Sequence, residues 1–192
     1  MGKIIASIII AGLIGFTTFL LVKSIQDPIA FQAEKVKRSE VVASKLKQIK
    51  TLQEIYKSIK GTYAPNFEEL VNVIKTGQIP FIKVEGDPDD PNNSVVTRSI
   101  SYTNAIDSVK SLGIDLTDID KVPFADGVSF TIQADTIDYQ STKVSVLEVG
   151  TKWKVFMGEF ANPKFKKYDA FYDPEKSFKF GDMNTPNLSG NW

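Results

Sequence analysis

The 192-residue chain contains no cysteine and no histidine. Without thiols it forms no disulfides and has no thiolate nucleophile. Without thiols and imidazoles it has no structural zinc site of the usual kind and no histidine acid–base catalysis. The absence of cysteine fits an oxidising and a reducing compartment equally well. Catalytic and metal chemistries that depend on thiols or imidazoles are therefore excluded by composition.

An excess of charge of either sign is also missing, because 23 basic residues balance 23 acidic ones. No net field therefore draws the chain to nucleic acid. The remaining composition is that of a globular protein, with 42% hydrophobic and 11% aromatic residues. A chain of this length predicts one domain with an appendage.

The strongest local feature is an uncharged run over residues 4–22, bounded by Lys3 and Lys23. A bilayer core of about 30 Å requires about 20 apolar residues in a helix. A cleaved signal peptide has a shorter apolar region, about 7–15 residues, which ends in a small-residue cleavage site. The residues after Val22 offer no such site. We therefore expect an uncleaved membrane anchor over residues 1–25 that contacts the lipid bilayer through residues 4–22.

The charges beside this run give conflicting indications about its orientation. Lys3 precedes the run, and four basic residues follow it: Lys23, Lys35, Lys37 and Arg38. A positive-inside count favours a cytoplasmic C-terminal domain. A very short N-terminal tail is instead typical of signal anchors that export the domain behind them. We expect export.

The segment after the anchor predicts a long amphipathic stalk helix over residues 26–60. Asp27-Pro28 is a good helix start, an N-cap acid followed by proline at the first helical position, and Gly61 is the natural C-cap. An apolar stripe recurs at steps of three and four at Val42, Leu46, Ile49, Leu52, Tyr56 and Ile59. We expect this second half to pack on the domain, with a coiled-coil seam as the alternative. The charged residues 34–40 should remain solvated.

A short helix follows the stalk. Asn66 and Glu69 form a capping-box pattern before it, and Gly77 ends it. Beyond it, residues 79–84 and 95–102 predict two strands, and Pro80 confines the first of them to a sheet edge or a strand start. Residues 103–111 predict another short helix.

Residues 128–147 give the clearest hairpin signal. Apolar residues alternate with polar ones on one side of a polar turn region, residues 135–143, and a partner strand follows it. The alternating apolar residues are Val128, Phe130 and Ile132 on the first strand, and Val144, Val146 and Leu147 fall on the second. Residues 153–160 predict a short helix. We expect the aromatic- and lysine-rich tail beyond Asn162 to wrap the domain with alternate aromatics buried.

Two acidic clusters are candidate sites. Residues 87–93 (DPDDPNN) crowd oxygen ligands of the kind that calcium prefers, but they lack the EF-hand spacing and its terminal glutamate. We interpret them as a solvated turn. Asp115, Asp118 and Asp120 alternate with apolar residues, which indicates a half-buried turn and no acid–base pair. We therefore predict no metal, cofactor or catalytic residues.

The sequence gives even less support to serine catalysis, phosphate binding or nucleic-acid binding. Without histidine, a serine nucleophile needs a lysine partner, and no serine–lysine spacing lies in a convincing context. No glycine-rich phosphate loop is present. The aromatic and lysine residues of 165–180 resemble a stacking platform for nucleic acid, but the neutral charge and the expected export argue against it. We expect that the protein is not an enzyme.

The arrangement resembles the type II secretion pseudopilins and the type IV pilins. An apolar helix runs into an amphipathic stalk, which ends in a turn from Tyr56 through Gly61 and Tyr63 to Pro65, followed by a short helix and an antiparallel sheet. The resemblance covers roughly residues 1–80. It implies a structural subunit of an envelope assembly.

The cleavage motif of the pilins is displaced in this chain. A pilin has glycine–phenylalanine–threonine ahead of its apolar stretch and a glutamate five residues into the mature chain. Here Gly15-Phe16-Thr17 lies inside the apolar stretch, and Leu20 stands at the fifth position. We therefore expect no prepilin-peptidase cleavage. As a whole the chain is similar to uncharacterised single-pass envelope proteins of Gram-negative bacteria, with residues 122–130 before the hairpin and Gly190-Asn-Trp192 at the end.

These inferences predict an α+β fold. An N-terminal transmembrane helix continues into a long amphipathic helix, which packs on a small antiparallel sheet within a globular domain over residues 61–192. The leading hypothesis is a non-catalytic scaffold in the inner membrane, its domain periplasmic and its partners envelope proteins or further copies of itself. The alternative is a membrane-tethered ligand-binding or sensory domain.

Overall fold

The computed structural model describes residues 2–85 and 97–192. It has an α+β fold in which a long N-terminal helix packs on small antiparallel sheets. The helices are α1 (Gly2–Lys60), α2 (Phe67–Thr76), α3 (Ala105–Ser111) and α4 (Trp153–Met157), with 3₁₀ helices at Gly158–Ala161 and Pro163–Tyr168. The strands are β1 (Gln78–Glu85), β2 (Thr97–Asn104), β3 (Thr131–Tyr139), β4 (Thr142–Lys152) and β5 (Ser177–Asp182).

Helix α1 is continuous through Asp27-Pro28, so the apolar segment continues into the stalk as predicted, but the expected helix start at Asp27-Pro28 is wrong. Pro28 has no N–H to donate to the carbonyl of Ser24, four residues earlier. Ser24 is exposed, so water can replace the missing donor. The helix ends at Lys60, as predicted, and Gly61 follows with a φ of 81°.

The second half of α1 forms one wall of the core. Its buried stripe comprises Val42, Leu46, Ile49, Leu52 and Tyr56. This burial confirms core packing and leaves no seam for a coiled coil. Gln53 is buried in the same wall, where its side chain donates to the Ala64 carbonyl at 3.2 Å and accepts from the Ala64 amide at 2.9 Å. The two bonds hold the chain where it leaves the helix.

Helix α2 is set by local signals. The Asn66 side chain accepts a hydrogen bond from the Glu69 amide at 2.8 Å, and the helix ends before Gly77, as predicted. The Glu69 carboxylate does not complete a capping box, because it accepts a hydrogen bond from the Tyr56 hydroxyl of α1. Burial and this bond raise the pKa of Tyr56 to about 12.

Strands β1 and β2 pair antiparallel in a two-stranded sheet of their own. Both strands and the helix α3 behind them agree with the prediction. Pro80 lies on an edge strand, opposite Tyr102, as its missing N–H requires. The acidic residues 87–93 lie outside the described residues.

Strands β3, β4 and β5 form an antiparallel sheet with β4 at its centre. The predicted turn over residues 135–143 is wrong, because β3 and β4 pair through it as far as Tyr139 opposite Thr142. Only Gln140 and Ser141 connect the strands, with φ angles of 48° and 64°, as a type I′ turn requires. The other polar residues of the expected turn are exposed strand residues, Asp135, Thr136 and Asp138 in β3 and Thr142 and Lys143 in β4.

Strand β5 lies in the C-terminal tail and was not predicted. The tail wraps the domain, as expected, with Tyr172, Phe178 and Phe180 buried. Helix α4 and the 3₁₀ helix Gly158–Ala161 together occupy the predicted helix over residues 153–160. Val128 and Phe130, predicted to lie on the first hairpin strand, instead precede β3, and Val128 is exposed while Phe130 is buried.

Candidate membrane anchor and interaction surfaces

The apolar half of α1, residues 4–22, stands outside the packed domain. Among the described residues, α1 is the one helix long and apolar enough to cross a membrane, and none of its apolar window is buried. The hydroxyls of Thr17 and Thr18 donate to the carbonyls of Leu13 and Ile14 at 2.9 and 2.8 Å, so they cost little in an apolar surrounding. The segment is compatible with a single-pass membrane anchor.

Phe31 attaches the first half of the stalk to the domain. It is fully buried, and the rings around it come from the second half of the chain: Phe160, Phe165, Tyr168 and Tyr172. Phe165 stacks on it with 5.5 Å between ring centroids, and Tyr172 meets it edge-on at 5.0 Å. The prediction that only the second half of the stalk packs on the domain is therefore wrong.

Lys35 ties the same part of α1 to the tail. Its ammonium forms an ion pair with Asp169 and lies 5.6 Å from the centroid of the Trp153 ring. The hydrogen bond from Lys35 lowers the pKa of Asp169, and partial burial offsets only part of this. One turn away, the Gln32 side chain donates to the Tyr168 carbonyl at 3.3 Å.

Arg38 makes a second tie. It donates to the Glu34 carboxylate at 2.8 Å and to the Phe156 carbonyl of α4 at 2.9 Å, and its guanidinium lies over the Phe124 ring. The prediction that residues 34–40 are solvated is thus wrong for Lys35 and Arg38. It is confirmed for Lys37 and Glu40, which are exposed. These contacts could not be predicted from the charge of the residues. Lys and Arg can bury the apolar part of their side chains while the charged groups contact residues that are distant in the sequence.

A cleft of about 550 Å³ opens between α1 and the Pro163–Tyr168 helix. We call it the stalk cleft. Three lysines line it (Lys23, Lys164 and Lys167), with two carboxylates (Asp27 and Glu159). The aromatic residues of its wall are Phe160, Phe165 and Tyr168, which also surround Phe31.

The β1–β2 hairpin has an exposed apolar face. Ile82 and Ile100 are directly opposed in the ladder and are 68% and 65% exposed. Pro80 and Tyr102 are opposed two residues along, on the same side of the ribbon. We call these four residues the hairpin face. Neighbouring large apolar side chains in solvent are typical of an interaction surface.

Asp120, Lys121 and Ser129 form a polar cluster that the sequence did not indicate. The Ser129 hydroxyl donates to Asp120 at 2.7 Å and accepts from the Lys121 ammonium at 3.0 Å, and Lys121 lies 3.2 Å from the Asp120 carboxylate. Partial burial raises the pKa of Asp120, but these hydrogen bonds outweigh it and lower the pKa below its usual value. An ion-paired lysine is a poor base for a serine nucleophile. The cluster closes the loop before β3.

The other predicted acids remain apart from this cluster. Asp115 and Asp118 are exposed while Ile119 is buried, so the half-buried turn is confirmed. The Asp115 carboxylate accepts from the Thr117 amide at 2.8 Å, which lowers its pKa. In the part of the chain that the structure describes, no group of three or more acidic residues could hold a metal ion.

Two further clefts bear on ligand binding. One, of about 540 Å³, lies between α2 and the turn over residues 117–120 and is open to solvent. The other, of about 160 Å³, lies on the β3–β4–β5 sheet among polar side chains such as Gln133 and Lys179. Neither is an enclosed apolar pocket with convergent polar groups.

Comparisons with protein-family models, with curated proteins and with solved structures give no match to this chain. Its functional interpretation therefore rests on its own residues and geometry.

Proposed function

We propose that this protein is a non-catalytic scaffold, a structural subunit of an envelope assembly that is anchored in the membrane by residues 4–22. The continuity of α1 carries the proposal. One half of the helix is apolar and exposed, and the other half forms a wall of the domain core. A domain packed around its own anchor cannot shift along it without breaking close-packed contacts.

The length of the stalk helix sets the distance between the proposed anchor and the far end of the domain. From Lys23 to Lys60 the helix extends about 55 Å. Gly77, just before β1, lies against Ile59 near the far end of α1. The base of the hairpin is therefore distant from the anchor, and the hairpin face would meet a partner well above the bilayer surface.

The hairpin face supports binding of another protein better than binding of a small ligand. Ile82 and Ile100 offer apolar area without an enclosing pocket. A membrane-tethered ligand-binding or sensory domain, the alternative, would need an apolar pocket with convergent polar groups. The clefts described above are open or polar, so they favour the scaffold.

The test is the size of the complex that full-length protein forms when it is extracted from its native membranes in mild detergent. We expect an assembly larger than one 21.3-kDa chain. Ile82→Lys/Ile100→Lys should reduce it to the single chain with an unchanged melting temperature. The control Gln133→Lys, at an exposed position of β3, should leave the assembly intact. If wild type runs as a single chain, the scaffold proposal is wrong.

We further propose that the anchor lies in the inner membrane with the domain in the periplasm, as the pilin-like turn at Gly61 suggests. Because the chain has no cysteine, one introduced cysteine reports topology directly. Glu54→Cys, at an exposed position of α1, should react with a membrane-impermeant maleimide in cells whose outer membrane has been permeabilised. Labelling only after lysis would place the domain in the cytoplasm.

A further inference from the structure

We propose that the stalk cleft binds the phosphodiester headgroup of an anionic glycerophospholipid. The inference rests on the membrane anchorage proposed above. It adds a specific lipid site to an anchor that needs only an apolar bilayer core.

The first argument is the height of the cleft along α1. When residues 4–22 span the hydrocarbon core, Lys23 lies where the headgroups begin. The headgroup region is roughly 5–8 Å deep on each side of a bilayer. Asp27 and Ala30, which also line the cleft, stand about 6 and 10 Å further along the helix. The cleft therefore spans the headgroup layer, and only its end at Ala30 lies just beyond that layer.

The second argument is charge. Among the side chains that the structure describes, no carboxylate lies within ion-pair distance of Lys23, Lys164 or Lys167. Lys166 differs, because its ammonium is 3.0 Å from the Asp173 carboxylate. The cleft thus gathers three ammonium groups without acidic partners around one space, and ammonium groups are good point-charge ligands for phosphate.

The third argument is the aromatic wall. The ammonium of Lys164 lies 4.8 Å from the centroid of the Phe165 ring, and that of Lys167 lies 4.6 Å from the centroid of the Tyr168 ring. The same rings pack on Phe31, so the aromatic rings that the two lysines contact are held in place. Tyrosine and tryptophan rings are enriched at the headgroup level of membranes, and Tyr168 is the ring of this kind in the cleft wall. Phe171, three residues after Tyr168, is 90% exposed.

The two carboxylates narrow the choice of lipid. Asp27 and Glu159 form no ion pair among the described residues, so they are available to accept hydrogen bonds from headgroup hydroxyls. Three ammonium groups against two carboxylates leave the lining positive. A phosphodiester that carries a hydroxylated, uncharged headgroup, as in phosphatidylglycerol, matches both features.

The experiment uses the full chain reconstituted into vesicles of phosphatidylcholine, phosphatidylethanolamine and phosphatidylglycerol. Vesicles are floated, the protein is re-extracted in mild detergent, and the lipids that remain bound are quantified by mass spectrometry. We expect phosphatidylglycerol to be enriched over both other lipids relative to the vesicle. Each lysine near an anionic headgroup should contribute about fivefold.

The matched variants are Lys164→Gln/Lys167→Gln and Lys166→Gln. All three positions lie on the same short helix, but Lys166 does not line the cleft. The double variant should lower the enrichment by roughly 25-fold, fivefold for each lysine removed, because Lys23 remains, whereas Lys166→Gln should keep it. Equal loss in Lys166→Gln would show general attraction to a charged surface and overturn the site.

The other outcomes of the experiment distinguish failure of the membrane anchorage from failure of the lipid site. Protein that does not float with phosphatidylcholine vesicles refutes anchorage itself. Protein that floats but binds the three lipids in vesicle proportions, or prefers phosphatidylethanolamine, refutes the anionic-lipid site and leaves anchorage standing. If added inorganic phosphate displaces phosphatidylglycerol, the ligand is a soluble phosphate and the lipid assignment is wrong.

Discussion

Among individual side chains, Phe31 has the largest structural role that its neighbours in the sequence do not indicate. It lies between an apolar run and a charged segment, yet it is fully buried in a cluster of four other rings. Edge-on and stacked ring pairs add about 0.5–1.5 kcal/mol each beyond burial of area. Phe31 thus packs the C-terminal tail against the part of α1 nearest the proposed anchor.

Phe31→Ala should therefore destabilise the domain by about 3–5 kcal/mol, the range for removing a fully buried ring. That is a large part of the roughly 5–15 kcal/mol that stabilises a typical domain. Val36→Ala is the control, because Val36 is 51% exposed five residues further along the same helix, and should change stability by no more than about 0.5 kcal/mol. Denaturant unfolding of the full-length protein in detergent measures both. Equal effects would mean that the ring cluster does not stabilise the domain.

The Lys35–Asp169 pair predicts a pH dependence of stability. The pKa of Asp169 is lower in the folded protein than in the unfolded chain, where it is about 4. The pair's contribution is therefore complete above about pH 4 and is lost as the pH falls through the lowered folded value. Asp169→Asn should cost about 1–3 kcal/mol at neutral pH.

The measurement is the melting temperature of the full-length protein from neutral to acidic pH. The difference between wild type and Asp169→Asn should shrink below about pH 4. Asp138→Asn, at an exposed position of β3, is the control and should follow wild type throughout. A difference that is constant with pH would show that Asp169 acts through packing and not through its charge.

Among the helices and strands, those defined by local signals were predictable. Helix α2 has its N-cap Asn66, its apolar face and Gly77 within a dozen residues, and the structure has the same bounds. The stripe of α1 is likewise periodic enough to predict its buried face. Local sequence suffices when the residues that begin, fill and end an element are neighbours in the chain.

Elements that depend on distant partners were not predictable in the same way. Strand β5 is short, and Phe178 and Phe180 are its only strong strand signal, so its existence depends on pairing with β4. The β3–β4 turn was misplaced because Gln140 and Ser141 are not typical residues for positive φ angles. The stalk cleft combines Lys23 with Lys167, which only the tertiary fold brings together.

The apolar half of α1 makes a prediction about processing. Gly15 and Phe16 lie within an unbroken helix, and the hydroxyl of Thr17 is bonded to a carbonyl of the preceding turn. Cleavage within the hydrocarbon core would require the helix to unwind there, which leaves backbone N–H and C=O groups without hydrogen-bond partners. The intact mass of the purified protein should therefore show no cleavage between Gly15 and Phe16. A chain that starts at Phe16 would contradict this and make filament formation the leading hypothesis.

Taken as one molecule, the protein is organised around α1 from end to end. Its apolar part is the proposed anchor. The aromatic cluster at Phe31 and the Lys35–Asp169 ion pair bind the C-terminal tail near that anchor, and Arg38 binds α4 through the Phe156 carbonyl. Further along, the core stripe and Gln53 bind the segment that leads into α2. The stalk cleft and the hairpin face therefore lie toward opposite ends of one rigid element.

This arrangement predicts that the domain cannot fold without its stalk. A fragment that begins at Asp27 keeps Phe31 and the buried stripe and should unfold cooperatively. A fragment that begins at Thr62 loses six fully or nearly fully buried side chains, Phe31, Val42, Leu46, Ile49, Leu52 and Tyr56. Each contributes about 2–5 kcal/mol, so their combined loss exceeds the roughly 5–15 kcal/mol available to a domain.

The shorter fragment should therefore be unfolded or aggregate, as judged by circular dichroism and gel filtration beside the longer one. The longer fragment is the matched control, because both lack the apolar residues 4–22 and differ only in the stalk. Adding a separate peptide of residues 27–60 to the shorter fragment should restore the folded signal, since the missing wall is a single helix. If the shorter fragment melts at the same temperature and with the same cooperativity as the longer one, the stripe is not part of the core. The apolar face of α1 would then be free for another protein or another copy of the chain.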